Sequence, residues 1–146
     1  MAAQHPEAVV IGSDQVAELA GVAVGKPGDH QRATEQLRAM SGREVIFHTA
    51  VAVVCADQGF EASDIARVSV RFRLLSDDEI ERYLQAEKPY DCAGSAKSEG
   101  LGVALLQAVE SDDPTALIGL PLIRTCTLLR RAGLDPLGAV DRAVDR

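Results

Sequence analysis

The sequence predicts an α/β domain of the α+β kind, a mixed twisted β-sheet flanked by helices, and three observations carry that expectation. Residues 44–56 form a long run rich in Val, Ile, Phe and Thr, the composition of a strand. Residues 68–74 alternate, with Val68, Val70, Phe72 and Leu74 on one face and Ser69, Arg71 and Arg73 on the other, which reads as an antiparallel strand with one polar face. Two segments have apolar residues at helical spacing behind a capping residue: Ala33, Leu37 and Met40 after Asp29, and Ile80, Tyr83 and Leu84 after Ser76.

Taken in order, residues 8–12 read as a short buried strand, and residues 15–19 and 22–24 as the arms of a hairpin turning at Ala20-Gly21. Gly25-Lys26-Pro27-Gly28 is a loop by composition. The first helix ends at Gly42, placed as a C′ glycine. Asp57-Gln58-Gly59 turns the chain between the two long strands. Ser76-Asp77-Asp78-Glu79 is a capping box with acids in the first helical turn, where the helix dipole favours them. Residues 90–100 are Gly/Ser-rich without periodicity, residues 101–109 read as a strand, and Pro121 opens a last helix that runs to Gly133. The expectation is one domain over residues 1–146, with 138–146 as a tail.

Composition narrows the function. The 15 Lys and Arg against 22 Asp and Glu give a net charge of −7, which argues against a nucleic-acid surface but not against a small phosphorylated ligand held with a divalent metal. The three cysteines, Cys55, Cys92 and Cys126, are widely spaced, so neither a zinc site nor a disulfide framework is expected, and free thiols fit the cytoplasm. No apolar run reaches membrane-spanning length and no signal peptide opens the chain. There is no Gly-x-x-x-x-Gly-Lys phosphate loop and no Gly-x-Ser-x-Gly elbow, and His5, His30 and His48 share no metal-ligand spacing.

Three segments can carry chemistry. In Gly12-Ser13-Asp14-Gln15 an acid follows a strand and can bind Mg²⁺ or orient water, or it can simply cap a turn. Lys26, between Gly25 and Pro27, supplies a point charge suited to phosphate, or is solvated. In the small-residue loop 92–100, Lys97 can meet a phosphate. Glu99 can accept from the N1–H and N2–H₂ edge of guanine and attract a ring made cationic by methylation. The alternative is a surface loop with a solvated Lys–Glu pair.

Read together and in order, Ile11-Gly-Ser-Asp-Gln-Val16, Gly25-Lys-Pro27, Ser41-Gly-Arg43, Val70-Arg-Phe-Arg-Leu-Leu-Ser76, Glu79-Ile with Tyr83-Leu84, Cys92-Ala-Gly-Ser95, Lys97-Ser-Glu-Gly100, and Asp113-Pro with Leu117-Ile-Gly-Leu-Pro-Leu122 resemble the Maf family of nucleotide pyrophosphatases across residues 5–137. Gln15 and the run Lys97–Gly100 resemble the branch that acts on 7-methylated GTP; the dTTP/UTP branch has Thr at the former and Gly-Ile-Gln-Gly at the latter. The resemblance implies an inosine-triphosphatase-like architecture and hydrolysis of a nucleoside triphosphate to the monophosphate and pyrophosphate with Mg²⁺ or Mn²⁺. It implies Asp14 as proton acceptor and metal ligand, Gln15 and Glu99 as setting base choice, Lys26 and Lys97 as neutralising phosphates, and a homodimer. Family members begin with a Ser-x-Ser-Pro-Arg-Arg-like loop that is not found in this sequence, so the architecture is expected to lack its N-terminal part. The alternatives are dTTP/UTP cleavage and a nucleotide-binding relative without turnover.

Overall fold

In the computed structural model, which describes residues 4–138, eight regular elements follow the chain: β1 (Val10–Leu19), β2 (Val22–Val24), α1 (His30–Met40), β3 (Glu44–Cys55), β4 (Phe60–Phe72), α2 (Asp77–Glu87), β5 (Leu106–Glu110) and α3 (Leu122–Arg131). Most of the expected tail falls outside the described residues. The strands form one five-stranded sheet in the order β2-β1-β3-β4-β5. The α+β class holds, but the sheet that was expected to be mixed has only antiparallel pairings among its described strands. The connections explain this. Ala20-Gly21 and residues 56–59 make tight hairpins, and tight hairpins join antiparallel neighbours. Ala20 at φ 51° and Gly21 at φ 83° give the first one the two left-handed residues that match the twist of its arms.

Both helix expectations hold. Asp29 accepts the N–H of Arg32 at 2.8 Å to start α1, and Ser76 and Glu79 bond reciprocally at the start of α2. Ala33, Leu37 and Met40 of α1 and Ile80, Tyr83 and Leu84 of α2 are the buried sides of the two helices. They pack on Ala17, Val45, Phe47, Val68, Val70 and Phe72. Further along the same face, Leu128 and Ala132 cover Val51 and Val53. β3 spans both groups: twelve residues at ~3.3 Å each make about 40 Å of strand, enough to reach from one helical cover to the other. The opposite face, with Val16, Ile46, His48, Ala50 and Ile65, stays exposed or half-buried. On it His48 Nε2 meets Glu18 Oε2 at 2.8 Å, a surface ion-pair geometry rather than a catalytic one.

Four sequence expectations are corrected. The strand expected over residues 8–12 begins at Val10 and runs on without a break through 15–19, because the polar run Ser13-Asp14-Gln15 pairs with Thr49–Val51 of β3 instead of turning. β4 begins at Phe60, and its first half reads as polar because one of its faces is open to solvent. Leu74, expected on the buried face, is 82% exposed because β4 stops at Phe72. Residues 101–105 form a 3₁₀ turn and only Leu106–Glu110 is strand. Gly102 donates its N–H to the carbonyl of Lys97 and lies so close to it that a Cβ would collide with the Lys97 backbone, which forces the chain to coil before it can extend.

The third helix is capped from a distance. Pro121 precedes Leu122 and offers no side-chain acceptor, so Asp113, fully buried, takes the N–H of Arg124 at 3.0 Å and of Ile123 at 3.4 Å, while Thr115 Oγ1 takes that of Leu122 at 2.8 Å. Thr115 in turn donates to Asp113 at 2.7 Å, and the Arg124 guanidinium lies 3.6 Å from the same carboxylate. Removing this carboxylate leaves two helix N–H donors and the Thr115 hydroxyl short of an acceptor, while Arg124 keeps Asp112 and Asp64. Asp113→Ala is expected to cost about 2–4 kcal/mol of stability, read as a shift in urea midpoint, and Asp113→Asn, which keeps one acceptor, clearly less.

Candidate functional site

The two helical covers part over the middle of β1 and β3, and a polar seam fills the gap. Thr49, fully buried, donates Oγ1–H to the carbonyl of Ala116 at 2.9 Å. Gln15 Nε2 lies 3.0 Å from Thr49 Oγ1, 3.0 Å from the Ala116 carbonyl and 3.2 Å from that of Leu117, so both of its N–H groups are committed. Among the described residues nothing donates to Gln15 Oε1, which is left to address a ligand. Ser13 Oγ reaches the Gly119 carbonyl at 2.9 Å and that of Ala50 at 2.7 Å. The 116–119 segment is thereby pinned against β1.

Beside this seam opens a cleft of about 260 Å³ lined by Ser13, Asp14, Gln15, Lys26, Asp91, Cys92, Ala93, Ala96, Glu99 and residues 117–119. Asp14 was expected at the tip of a strand; it lies in mid-strand. It reaches the cleft because β2 pairs only with Ala17–Leu19, leaving the edge of β1 beside Asp14 unpaired among the described residues. Asp14 and Gln15 point to opposite faces of this edge strand, as alternation requires, and the cleft wraps round the edge to touch both. Asp14 Oδ1 accepts the Gln15 N–H at 2.9 Å, which fixes the carboxylate and leaves Oδ2 for a ligand.

Of the sequence-derived candidates, Asp14, Gln15, Lys26 and Glu99 line this one cleft. Lys97 does not: its side chain is exposed, and its backbone shapes the loop, accepting from Gly100 and Gly102 and donating to Tyr83 Oη at 3.0 Å. Tyr83 holds that loop from below. Its hydroxyl donates to the Ser95 carbonyl at 3.1 Å, and burial pushes the phenol up to about 12, so the donor proton stays in place at any physiological pH. Asp91 and the 117–119 wall were not read as site residues from sequence. Asp91 looks like an ordinary turn acid, and residues 117–119 are apolar or glycine; only tertiary approach brings them to the cleft.

The electrostatics are lopsided. Three carboxylates, Asp14, Asp91 and Glu99, face one cation, Lys26. Burial, and then the charge of Asp91, raise the Cys92 thiol above its usual range, so it stays protonated and is not an activated nucleophile. A second cleft, of about 330 Å³, contains Arg73, Glu79, Arg82 and Leu101, but Arg73 pairs with Glu79 at 2.8 Å and Arg82 with Asp78 at 3.1 Å. Among the described residues no cluster of three or more His, Cys, Asp or Glu converges on a point as a preformed metal cage, and no helix is long and apolar enough to cross a membrane.

Residues 1–132 match the family model described as Maf-like protein. The chain is 65% identical over 139 residues to a protein of Albidiferax ferrireducens named 7-methyl-GTP pyrophosphatase, covering 95% of this chain and 70% of that one. It is 65% identical over 134 residues to a Polaromonas protein of the same name, covering 92% and 61%, and 56% identical over 138 residues to one from Burkholderia pseudomallei, covering 94% and 64%. The chain thus spans about two thirds of the length of the curated relatives it matches. With a family model covering nine-tenths of its residues and relatives this similar, the chain belongs to the Maf family.

Proposed function

We infer that this chain is a nucleoside triphosphate pyrophosphatase acting on 7-methyl-GTP, and the observation that carries the reading is the convergence of Asp14, Gln15, Lys26 and Glu99 on one cleft. The names of the relatives point to the same substrate. In this reading a water attacks the α-phosphorus, its proton passes to Asp14, and the α–β bridging P–O bond breaks to release pyrophosphate and 7-methyl-GMP. Asp14 is suited to this because its Oδ1 is already fixed by the Gln15 N–H while Oδ2 is free. Lys26 meets the phosphates. Glu99 accepts from the guanine N1–H and N2–H₂ donors, Gln15 Oε1 offers a second acceptor, and the carboxylate favours the cationic methylated ring over the neutral one. A cytoplasmic location belongs to the same proposal, and the three free cysteines support it.

The donor set fits a hard divalent cation. Mg²⁺ is commonly held by one or two carboxylates together with substrate phosphates, and Asp14 with Asp91 at the cleft supplies that chemistry without a closed cage. When bound, Mg²⁺ or Mn²⁺ would neutralise phosphate charge that a single lysine cannot. The same shortage of cations favours one second reading, nucleotide binding without efficient turnover.

Pyrophosphate release from 7-methyl-GTP, GTP, dTTP and UTP, each with Mg²⁺ and with chelator, separates these readings. The expected result is metal-dependent release fastest with 7-methyl-GTP; saturable binding with no release supports the second reading, and preference for dTTP or UTP overturns the base assignment. Asp14→Asn removes the proton acceptor but keeps the shape, and is expected to cut kcat at least about 100-fold with an unchanged melting temperature. Glu99→Gln is expected to reduce the preference for 7-methyl-GTP over GTP by about tenfold while kcat for GTP changes little; equal losses on both nucleotides would remove Glu99 from base reading. Lys26→Ala is expected to raise KM by about tenfold and Lys97→Ala by much less, since only Lys26 lines the cleft.

A further inference from the structure

The cleft has two walls that are not neighbours in sequence. One is the Gly25-Lys26-Pro27 segment, which carries Lys26; the other is the 91–99 loop, which carries Asp91 and Glu99. Neither wall is a strand or an α-helix, and the direct bond between them, Gly94 N–H to the Gly25 carbonyl, is a long one at 3.3 Å, so the spacing between Lys26 and Glu99 depends also on side chains from outside them. One side chain bonds to both. Gln36, on α1, donates Nε2–H to the carbonyl of Gly25 at 3.0 Å and accepts from Ser95 Oγ at 2.6 Å with Oε1. It thereby ties the residue next to Lys26 to a residue four positions before Glu99.

The surroundings show that this contact is specified. Gln36 sits between the buried positions Ala33 and Leu37 of α1, and as a long neutral amide it can donate to one wall with its nitrogen and accept from the other with its oxygen. Ser95 is fully buried, and its hydroxyl gives its proton to Gln36. Ser95 is also held at φ 58°, a left-handed conformation that a non-glycine residue keeps only when its surroundings impose it. Tyr83 Oη imposes it from the other side, through the Ser95 carbonyl and the Lys97 N–H. Gly94 N–H adds a longer bond to the same Gly25 carbonyl, at 3.3 Å.

We propose that Gln36 is a positioning residue that sets the distance between the phosphate-facing wall at Lys26 and the base-facing wall at Glu99, and so governs how tightly a nucleotide is held across the cleft. It neither lines the cleft nor bonds to Asp14, so its loss is expected to act on binding before chemistry. This rests on the nucleotide reading above for its effect on turnover, but the tie itself can be measured without it.

The test uses Gln36→Met, which keeps length and loses both bonds, and Gln36→Glu, which keeps the acceptor for Ser95 and loses the donor to Gly25. Gln36→Met is expected to raise KM for 7-methyl-GTP by about fivefold to twentyfold with kcat within about twofold, the size of two lost hydrogen bonds. Gln36→Glu is expected to fall between it and the wild type. Ser95→Ala is expected to add little in the Gln36→Met background, because the pair acts as one unit. Amide hydrogen exchange supplies the independent arm: in Gln36→Met the Gly94 N–H should exchange faster, while the Gly28 N–H, bonded to the Tyr90 carbonyl at 2.9 Å, should keep its protection. Unchanged KM with unchanged exchange at Gly94 overturns the proposal, as does a kcat loss equal to the KM change in both variants. Should Gln36→Met fail to fold, Gln36→Glu carries the comparison. A wild-type chain that releases no pyrophosphate from any nucleotide defeats the functional reading and leaves the exchange measurement to decide whether Gln36 couples the walls.

Discussion

A buried hydrogen-bonded seam of three groups, the Gln15 amide, the Thr49 hydroxyl and the Ala116 carbonyl, is the constraint on which the rest of the site depends. The sheet is covered on one face by two separate groups of helices, and where they part the backbone of the 114–118 turn must cross apolar ground. A buried carbonyl without a partner there would cost roughly 1–3 kcal/mol. Thr49 and Gln15 supply the donors, and in doing so they fix how closely the 117–119 wall approaches β1. The cleft inherits its shape from that approach. The same residue that satisfies the seam with its nitrogen offers its oxygen to the cleft, so structural and ligand-facing duties fall on opposite ends of one amide.

The distribution of support around the cleft follows the same logic. The strand side is rigid: β1 is paired along nine residues to β3, and β3 along twelve to β4. The loop side has no ladder of its own and is held by side chains reaching up from the two helices, Gln36 from α1 and Tyr83 from α2. Tyr90 adds a third anchor. Its carbonyl accepts the Gly28 N–H, and its hydroxyl lies 3.1 Å from His30 Nδ1, whose other nitrogen meets Glu81 of α2 at 2.7 Å. Each helix thus buries an apolar stripe in the core and spends one or two polar residues on the loops above it.

What was legible in the sequence was local. The caps at Asp29 and Ser76 and the hairpin at Ala20-Gly21 depend on residues within a turn of each other, and the strand composition of 44–55 depends only on itself, so all four were readable. What misled was polarity at an edge. Ser13-Asp14-Gln15 reads as a break because a central strand could not tolerate it, but β1 is unpaired on one side along that stretch among the described residues, and an edge accommodates a charge that a sheet interior excludes. The apolar run after Gly100 misled in the other direction: it has strand composition, yet the contact of Gly102 with the Lys97 backbone, a tertiary fact, coils it. Site candidates followed the same rule. Asp14, Lys26 and Glu99 announce themselves by charge beside glycine or small residues, whereas the 117–119 wall and the Gln36 tie have no local signature, since their significance lies wholly in what they meet across the fold.

The charge imbalance of the cleft bears on how such a site can work at all. A triphosphate brought alone would face three carboxylates and one ammonium, so like charges outnumber the one favourable pairing. A nucleotide already complexed with a divalent cation reverses the sign of the first interaction, because the carboxylates then meet metal charge first. An acidic pyrophosphatase on an acidic chain is therefore coherent in the proposed reading: the excess carboxylates would discriminate against uncomplexed phosphate, and Glu99, lying at the same cleft, would turn the same negative field toward a cationic base. In the proposed reading, metal at one end of the ligand and methylation at the other are the two positive charges that suit this field, and a ligand lacking either would be held less tightly.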